Sequence, residues 1–157
     1  MSKSTPATLA LTKAGAAFTL HSYLYDPDAA RIGLQAAEAL GEPPERVLKT
    51  LMTKVDGKPV CVVLPSDREV AMKRLAASLG GKAAQMMDAA EAERMTGYKV
   101  GGISPFGQKR KVATVIEAAA LDQPYVFVNG GQRGLQVRLD PNAARRILEA
   151  VVAAVAA

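Results

Sequence analysis

Residues 47–64 read VLKTLMTKVDGKPVCVVL, and this stretch predicts a β-hairpin. Its two apolar runs, residues 47–55 and 59–64, have the length and the side-chain types of β-strands. Asp56-Gly57 lies between them, and Asp-Gly is a preferred pair for the tight turn that joins antiparallel strands. We therefore expect two adjacent antiparallel strands here.

The segments before the hairpin predict a helix, a strand and a second helix. Pro6 opens an Ala- and Leu-rich stretch that ends near Gly15, which is typical of a short helix with proline in its first turn. Residues 18–25 alternate apolar and polar side chains, as a half-buried strand does. Residues 33–40 have helical spacing, and Gly41 is a natural stop.

After the hairpin, Ser66 with Glu69 and Asp88 with Glu91 have the spacing of capping boxes, which predicts two helices, the first running to about Leu79. Further strands are predicted at residues 112–116, 125–128 and 135–139, and Pro141 opens a last helix. Strands spread along the chain with helices between them indicate an α+β fold. The length of 157 residues favours one domain over residues 1–157.

The composition is that of an ordinary globular protein. Hydrophobic residues make up 49% and charged residues 22%, which argues against disorder and fibrous structure. No apolar run approaches the roughly 20 residues that cross a bilayer, and the N-terminus lacks the apolar core of a signal peptide. We therefore expect a soluble, cytoplasmic protein with no membrane partner.

Charge and cysteine content bear on partners and cofactors. The formal net charge is +5, which suits a polyanion such as RNA but is equally common in proteins without such a partner. His21 is the only histidine and Cys61 the only cysteine, so neither an internal disulfide nor a zinc site is expected. We predict His21 to be a surface or packing residue of a strand and Cys61 a buried strand residue, and we expect no metal and no cofactor.

The densest chemical signal is a glycine-rich loop that reads GYKVGGISPFGQK at residues 97–109. Four glycines and Pro105 within eleven positions exclude a regular helix or a central strand. Such a loop can bring backbone N–H groups close to a carbonyl oxygen that gains negative charge during acyl transfer. The alternative is a plain crossover between two elements.

Two weaker signals are a lysine in an apolar strand and a second glycine-rich turn. Lys49 lies either on the solvent side of its strand or in a pocket, and the alternation of side chains does not decide between them. Residues 128–134, VNGGQRG, predict either a tight turn or part of a site.

Taken in order, these motifs resemble one family. Lys49 followed by Thr-Leu, the Gly-Tyr-x-x-Gly-Gly-Ile-Ser-Pro-x-Gly run and the later Gly-Gly-x-Arg-Gly-Leu are similar to those of the YbaK/EbsC-type aminoacyl-tRNA deacylases. These are related to the insertion editing domain of bacterial prolyl-tRNA synthetases. The resemblance extends from about Pro6 to Ile147. It implies an α+β fold with a strongly twisted, partly closed mixed β-sheet flanked by helices.

The resemblance also implies an activity, the removal in trans of a wrong amino acid from tRNA. The subgroup with the most similar motifs comprises the Cys-tRNA(Pro) deacylases, in which the substrate thiol attacks its own ester carbonyl and leaves as a thiolactone. The implied partners are mischarged tRNA(Pro) and prolyl-tRNA synthetase. Two alternatives stay open: a deacylase for alanine or another small amino acid, and a non-catalytic module that binds tRNA or a synthetase.

Site residues follow from the same resemblance. Lys49 matches the essential lysine, and Gly101 begins the Gly-x-x-x-Pro motif whose backbone contacts the substrate carbonyl, so both are predicted to be catalytic. The predicted substrate-binding residues are Tyr23, Ile32, Gly102, Ile103, Ser104, Pro105, Asn129, Gly130 and Gly131. Three positions depart from the family pattern, because Ile32 replaces an aromatic residue, Asn129 a serine and Gln136 an acid.

Basic residues beside the glycine motifs are candidate contacts for tRNA phosphates. They are Lys109, Arg110, Lys111 and Arg133. The alternative is an ordinary solvated surface.

Overall fold

The structure is a computed structural model that describes residues 4–30 and 32–157, with the side chain of Ile32 outside the described part. This part of the chain contains five α-helices and eight β-strands. In chain order they are α1 Pro6–Lys13, β1 Thr19–Ser22, α2 Ile32–Leu40, β2 Leu48–Val55, β3 Lys58–Pro65, α3 Met72–Ser78, β4 Ala84–Met86, α4 Ala89–Thr96, β5 Ala113–Glu117, β6 Val126–Asn129, β7 Leu135–Leu139, α5 Pro141–Leu148 and β8 Val151–Ala153. No helix among these residues is long and apolar enough to cross a membrane.

The predicted hairpin is confirmed. Strands β2 and β3 pair antiparallel along their whole length, from Leu48 opposite Pro65 to Val55 opposite Lys58. Asp56 has φ 50° and Gly57 has φ 81°. Both turn residues therefore have the positive φ that matches a two-residue turn to the twist of its strands.

The mixed α+β class is confirmed, and the strands form two sheets. The larger has the order β4-β2-β3-β5-β8, in which β4, β2 and β3 are antiparallel while β5 and β8 add in parallel. The smaller is antiparallel with the order β1-β7-β6. Neither sheet closes on itself, so the single, partly closed sheet implied by the resemblance is not observed. The two sheets are joined only by a single parallel bridge between Val47 and Phe127 among the described residues, because β2 and β6 separate beyond it.

The core lies on both faces of β3. Cys61 and Val63 pack in a cluster with residues of α1, α4, α5 and the smaller sheet, whereas Val62 and Leu64 pack against α3 and the C-terminal segment. Burial on both faces explains the continuous apolar run in the sequence. Cys61 is fully buried, as predicted.

The predicted capping boxes are wrong, and two short strands were not predicted. Helix α3 begins at Met72 because the preceding segment pairs with the end of the chain, where Ala71 N–H donates to Val155 O at 2.7 Å. Ser66 Oγ instead donates to Pro44 O. Asp88 precedes α4 without a side-chain hydrogen bond to it. Strands β4 and β8 have three residues each, too short for a pattern to indicate them.

Candidate active site

A cavity of about 330 Å³ lies where β2 separates from β6. Strand β4 pairs only with Thr53–Val55, so the earlier part of β2 is left to form one wall of the cavity. The apolar lining comes mainly from β2, α4 and the residues that join β4 to α4. The polar side chains that line the cavity are Tyr23, Tyr25, Lys49, Thr50, Asn129 and Gln136.

Lys49 is the one charged side chain among the described residues that line the cavity. Its side chain is 19% exposed, and its Nζ lies 3.6 Å from Glu69 Oε1, on a side chain that is 84% exposed. A long, solvated ion pair of this kind is weak, so the ammonium group remains available to a ligand. No aspartate or glutamate is among the described residues that line the cavity.

Gly101 also lines the cavity, at a point where the backbone conformation favours glycine. Its φ is +91°, and a Cβ placed there would lie 2.6 Å from Tyr25 Oη. Gly101 O accepts a hydrogen bond from Asn129 Nδ2 at 3.3 Å, which joins the two glycine-rich loops. The N–H of Gly102 is occupied within the turn, donating to Lys99 O at 2.8 Å. Gly101 and Ile103, which line the cavity, carry the remaining amides of this turn.

Two predicted residues of this loop lie behind the wall. Ser104 is fully buried, and its Oγ accepts a hydrogen bond from Phe106 N–H at 3.1 Å. Pro105 lines a separate cavity of about 240 Å³. Both positions support the loop from its far side.

The second glycine-rich turn places only its first predicted residue in the cavity. Asn129 Oδ1 accepts hydrogen bonds from the N–H groups of Gly131 and Gln132, at 2.7 and 3.2 Å. Gly130 N–H donates to Leu135 O, and its carbonyl accepts from the hydroxyl of Thr5, the N-cap of α1. Gly130 and Gly131 thus hold the turn in shape.

Tyr23 and Gln136 close the cavity at the smaller sheet. Burial raises the pKa of Tyr23, and the neighbouring Tyr25 raises it further, while hydrogen bonds from Gln136 and the backbone of Gly134 partly offset the rise. Gln136 lies opposite Asn129 in the β6–β7 ladder. Sequence reasoning singled out Gln136 only as a departure, and it missed Thr50, whose sole signal was a hydroxyl in an apolar strand.

The predicted RNA-binding residues occupy three separate places. Arg133 lies beside the cavity, where its Nε donates to Val100 O and its guanidinium lies 5.4 Å from the Tyr25 ring centre. Lys109 and Arg110 line a shallow groove with Arg94 at the end of α4. Lys111 lines the cavity behind the loop and pairs with Glu149 at 2.7 Å.

Neither His21 nor Cys61 is in the cavity. His21 Nε2 lies 2.9 Å from Thr19 Oγ1, and its ring contacts Phe127 edge-on. Burial raises the pKa of the Cys61 thiol to about 12. Within residues 4–30 and 32–157, no group of three His, Cys, Asp or Glu side chains could hold a metal ion.

The family follows from comparison with known proteins. A family model of the aminoacyl-tRNA editing domain matches residues 26–147, and the chain therefore belongs to the aminoacyl-tRNA editing domain family. The family predicted from the motifs is thus confirmed.

Two individual proteins are similar in sequence to parts of this chain. A candidate Cys-tRNA(Pro)/Cys-tRNA(Cys) deacylase, EbsC of Enterococcus faecalis, is 38% identical over 109 residues, which are 68% of this chain and 66% of that protein. A proline–tRNA ligase of Maridesulfovibrio salexigens is 33% identical over 75 residues, which are 48% of this chain and 13% of the ligase. This chain therefore matches slightly less than two thirds of the first relative and a small part of the second.

Solved structures share the fold. The crystal structure of a hypothetical protein superposes with a TM-score of 0.84 at 25% identity, covering 98% of this chain and 100% of the other. That of a candidate trans-editing enzyme for prolyl-tRNA synthetase gives 0.82 at 20% identity and 99% coverage of both. At 20% identity the second likeness shows the fold alone.

Proposed function

We propose that this chain is a deacylase that releases a mischarged amino acid, preferably cysteine, from tRNA(Pro). The observation that carries the proposal is that Lys49 and Gly101 line the same small cavity. Its volume of about 330 Å³ is at the low end for small-molecule sites, which suits an aminoacyl group better than a nucleotide. The Enterococcus relative is named for the same ester substrate.

The proposed chemistry uses the substrate's own thiol as the nucleophile. The sulfur forms a bond to the ester carbonyl carbon, and the bond from that carbon to the ribose oxygen breaks. The thiol proton ends on the ribose oxygen, so the products are a thiolactone and tRNA with a free terminal hydroxyl. No histidine, cysteine or carboxylate is among the described lining residues, which supports the substrate thiol as the nucleophile in place of a Cys–His or carboxylate pair.

The protein's part is orientation and charge stabilisation. The amides of Gly101 and Ile103 are the candidate donors to the carbonyl oxygen as it gains negative charge. The Lys49 ammonium positions the ribose and stabilises the charge that develops on the departing oxygen. An aminoacyl ester is already activated, so these contributions can supply much of the rate.

The proposed tRNA surface comprises Arg133 and the groove formed by Arg94, Lys109 and Arg110. Arg133 contacts Val100 and Tyr25 of the cavity lining, and the groove lies at the end of α4, whereas Lys111 is paired with Glu149. Each phosphate contact contributes roughly 0.7 to 0.9 to the log–log dependence of affinity on salt. A Lys109→Ala/Arg110→Ala double variant should therefore lower this slope by about 1.5, and Lys111→Ala should leave it unchanged. Equal slopes in all three proteins would remove the groove from the proposal.

A deacylation panel tests the proposed reaction. Purified protein is given tRNA(Pro) charged with cysteine, serine, alanine or proline, and the cysteine product is analysed for thiolactone. Fast loss of cysteine with thiolactone as the product is expected. Fast release of alanine without any thiolactone would instead favour hydrolysis by water. If tRNA is bound and no ester is cleaved, the chain is a binding module. Addition of prolyl-tRNA synthetase to the same assay tests whether the synthetase is a partner.

A further inference from the structure

We propose that Gln136, assisted by Thr50, selects an amino acid whose side chain carries a hydroxyl or thiol donor. This inference rests on the proposed function and concerns the same cavity. It gives the cavity a binding preference that is separate from the reactivity of the thiol.

The primary observation is a pair of buried oxygen atoms without partners. Thr50 Oγ1 and Gln136 Oε1 are buried from solvent and form no hydrogen bond to any described residue. Both side chains line the cavity, and Gln136 is only 4% exposed. Native proteins leave few buried polar atoms unpaired, so a pair of them in one cavity calls for an explanation.

The neighbouring side-chain amide of Asn129 differs from that of Gln136, because its oxygen is hydrogen-bonded. Asn129 lies directly opposite Gln136 in the β6–β7 ladder. Its Oδ1 accepts from two backbone N–H groups, and its Nδ2 donates to Gly101 O, so both ends of this amide are used by the fold. Gln136 hydrogen-bonds Tyr23, and its buried Oε1 has no partner among the described residues.

The open atoms define the chemistry of what completes them. An amide oxygen can only accept a hydrogen bond, so the ligand must donate to Gln136. A threonine hydroxyl can both donate and accept, and hydroxyl and thiol groups do the same. A ligand hydroxyl or thiol can therefore donate to Gln136 Oε1 or form a hydrogen bond with Thr50 Oγ1, whereas the methyl group of alanine can do neither.

Charge argues against the substrate's α-ammonium group as this donor. Lys49 already brings a positive charge to the cavity, and the described lining residues include no carboxylate to offset a second one. A neutral donor fits better, and the ribose and the side chain are its two sources. Lys49 is the more exposed group and is proposed to hold the ribose, which leaves the buried oxygens to the amino-acid side chain.

Uncleavable analogues test this preference without any chemistry. Three adenosine derivatives carry serine, 2-aminobutyrate or alanine through a 3′-amide, and calorimetry measures their binding. Serine and 2-aminobutyrate have nearly the same shape, but only serine has a donor. The wild type should bind the seryl derivative about 10-fold more tightly than the 2-aminobutyryl derivative. Gln136→Met should reduce this ratio to about 1 by weakening the seryl derivative alone.

A control and a second variant complete the test. Gln132→Met makes the same change at an exposed position in the adjacent turn and should keep the ratio near 10. Thr50→Val removes only the other open oxygen and should reduce the ratio to about 3. The inference is overturned if the wild type shows no preference for serine, if none of the derivatives binds, or if the ratio stays near 10 in Gln136→Met.

The deacylation panel separates this inference from the proposed function. A wild type that releases cysteine from tRNA but shows no serine preference refutes the inference alone. A wild type that keeps the binding ratio but cleaves no aminoacyl ester refutes the proposed function alone.

Discussion

Glu117 and Gln136 are both buried polar side chains, at 5% and 4% exposure. Both carboxylate oxygens of Glu117 have partners, whereas the single side-chain oxygen of Gln136 has none in the part of the chain that the structure describes. Glu117 Oε1 accepts from the N–H groups of Val155 and Ala156 at 2.8 and 2.9 Å, and Oε2 accepts from Ala119 N–H at 2.8 Å. Gln136 Oε1 has no partner among the described residues. The fold thus completes the buried polar group that anchors the C-terminal segment.

The difference separates two kinds of buried polar group. A group that the protein itself satisfies contributes to stability, and removing it leaves other groups unpaired. A buried group left without a partner carries its desolvation cost until a ligand pairs with it, so its removal should not lower stability. Substitutions of the first kind should therefore change unfolding, and those at the cavity should change activity.

The largest expected effect is at Glu117, whose oxygens are hydrogen-bonded by the protein itself. Glu117→Ala leaves two buried N–H groups without an acceptor, so the free energy of unfolding should fall by about 4 kcal/mol. The kcat/KM of the folded fraction should not change. Urea unfolding gives the stability. The matched control is Glu149→Gln, because this carboxylate forms only an exposed ion pair with Lys111 among the described residues, and its loss should not measurably alter unfolding.

The next effect is at the cavity. Lys49→Ala should reduce deacylation at least ~100-fold, about 2.7 kcal/mol of transition-state stabilisation, with little change in unfolding. Lys58→Ala, at the exposed start of β3, is the control and should keep full activity. A folded Lys49→Ala protein with more than half of the wild-type rate would contradict the assignment.

A substitution at Gly101 should lower both activity and stability, and a matched substitution at Gly57 separates the two effects. Gly101→Ala introduces a side chain at φ +91° against Tyr25 Oη, so activity should fall about 30-fold, or about 2 kcal/mol. Gly57→Ala has a similar positive φ of +81° with open space around it, far from the cavity in the hairpin turn. Both variants should lose about 1 kcal/mol of stability from backbone strain. If Gly57→Ala loses as much activity as Gly101→Ala, the loop acts only through stability.

Local signals explain which parts of the fold could be predicted. The Asp56-Gly57 turn and Pro141 fix their elements through neighbouring residues alone, and both predictions are confirmed. Strands β4 and β8 exist because distant strands pair with them, which no short pattern records. The start of α3 moved because Ala71 N–H is taken by Val155 O.

The candidate site, like the fold, contains residues that the sequence could predict and residues that it could not. The resemblance pointed to Lys49 and Gly101, which the fold brings to one cavity. Alternation puts Thr50 on the face opposite Lys49, but both line the cavity because β4 leaves the edge of this part of β2 unpaired. The adjacent basic residues at 109–111 seemed one patch in the sequence, yet their side chains line different surfaces.

The smallest expected effect concerns Cys61, a third buried group, which lies outside the cavity. Burial raises the pKa of its thiol from 9.0 to about 12, so the folded chain keeps this proton while the unfolded chain releases it above pH 9. Because the unfolded state then binds fewer protons, stability falls as pH rises from 9 toward 12, and it is unaffected below pH 8. Between pH 8 and 10 this contribution is about 1.4 kcal/mol. Urea unfolding at these two pH values should show wild type losing that much more than Cys61→Ala, with reductant present throughout. An equal loss in both proteins would mean that the thiol ionises in the folded state, and it would reopen Cys61 as a reactive group.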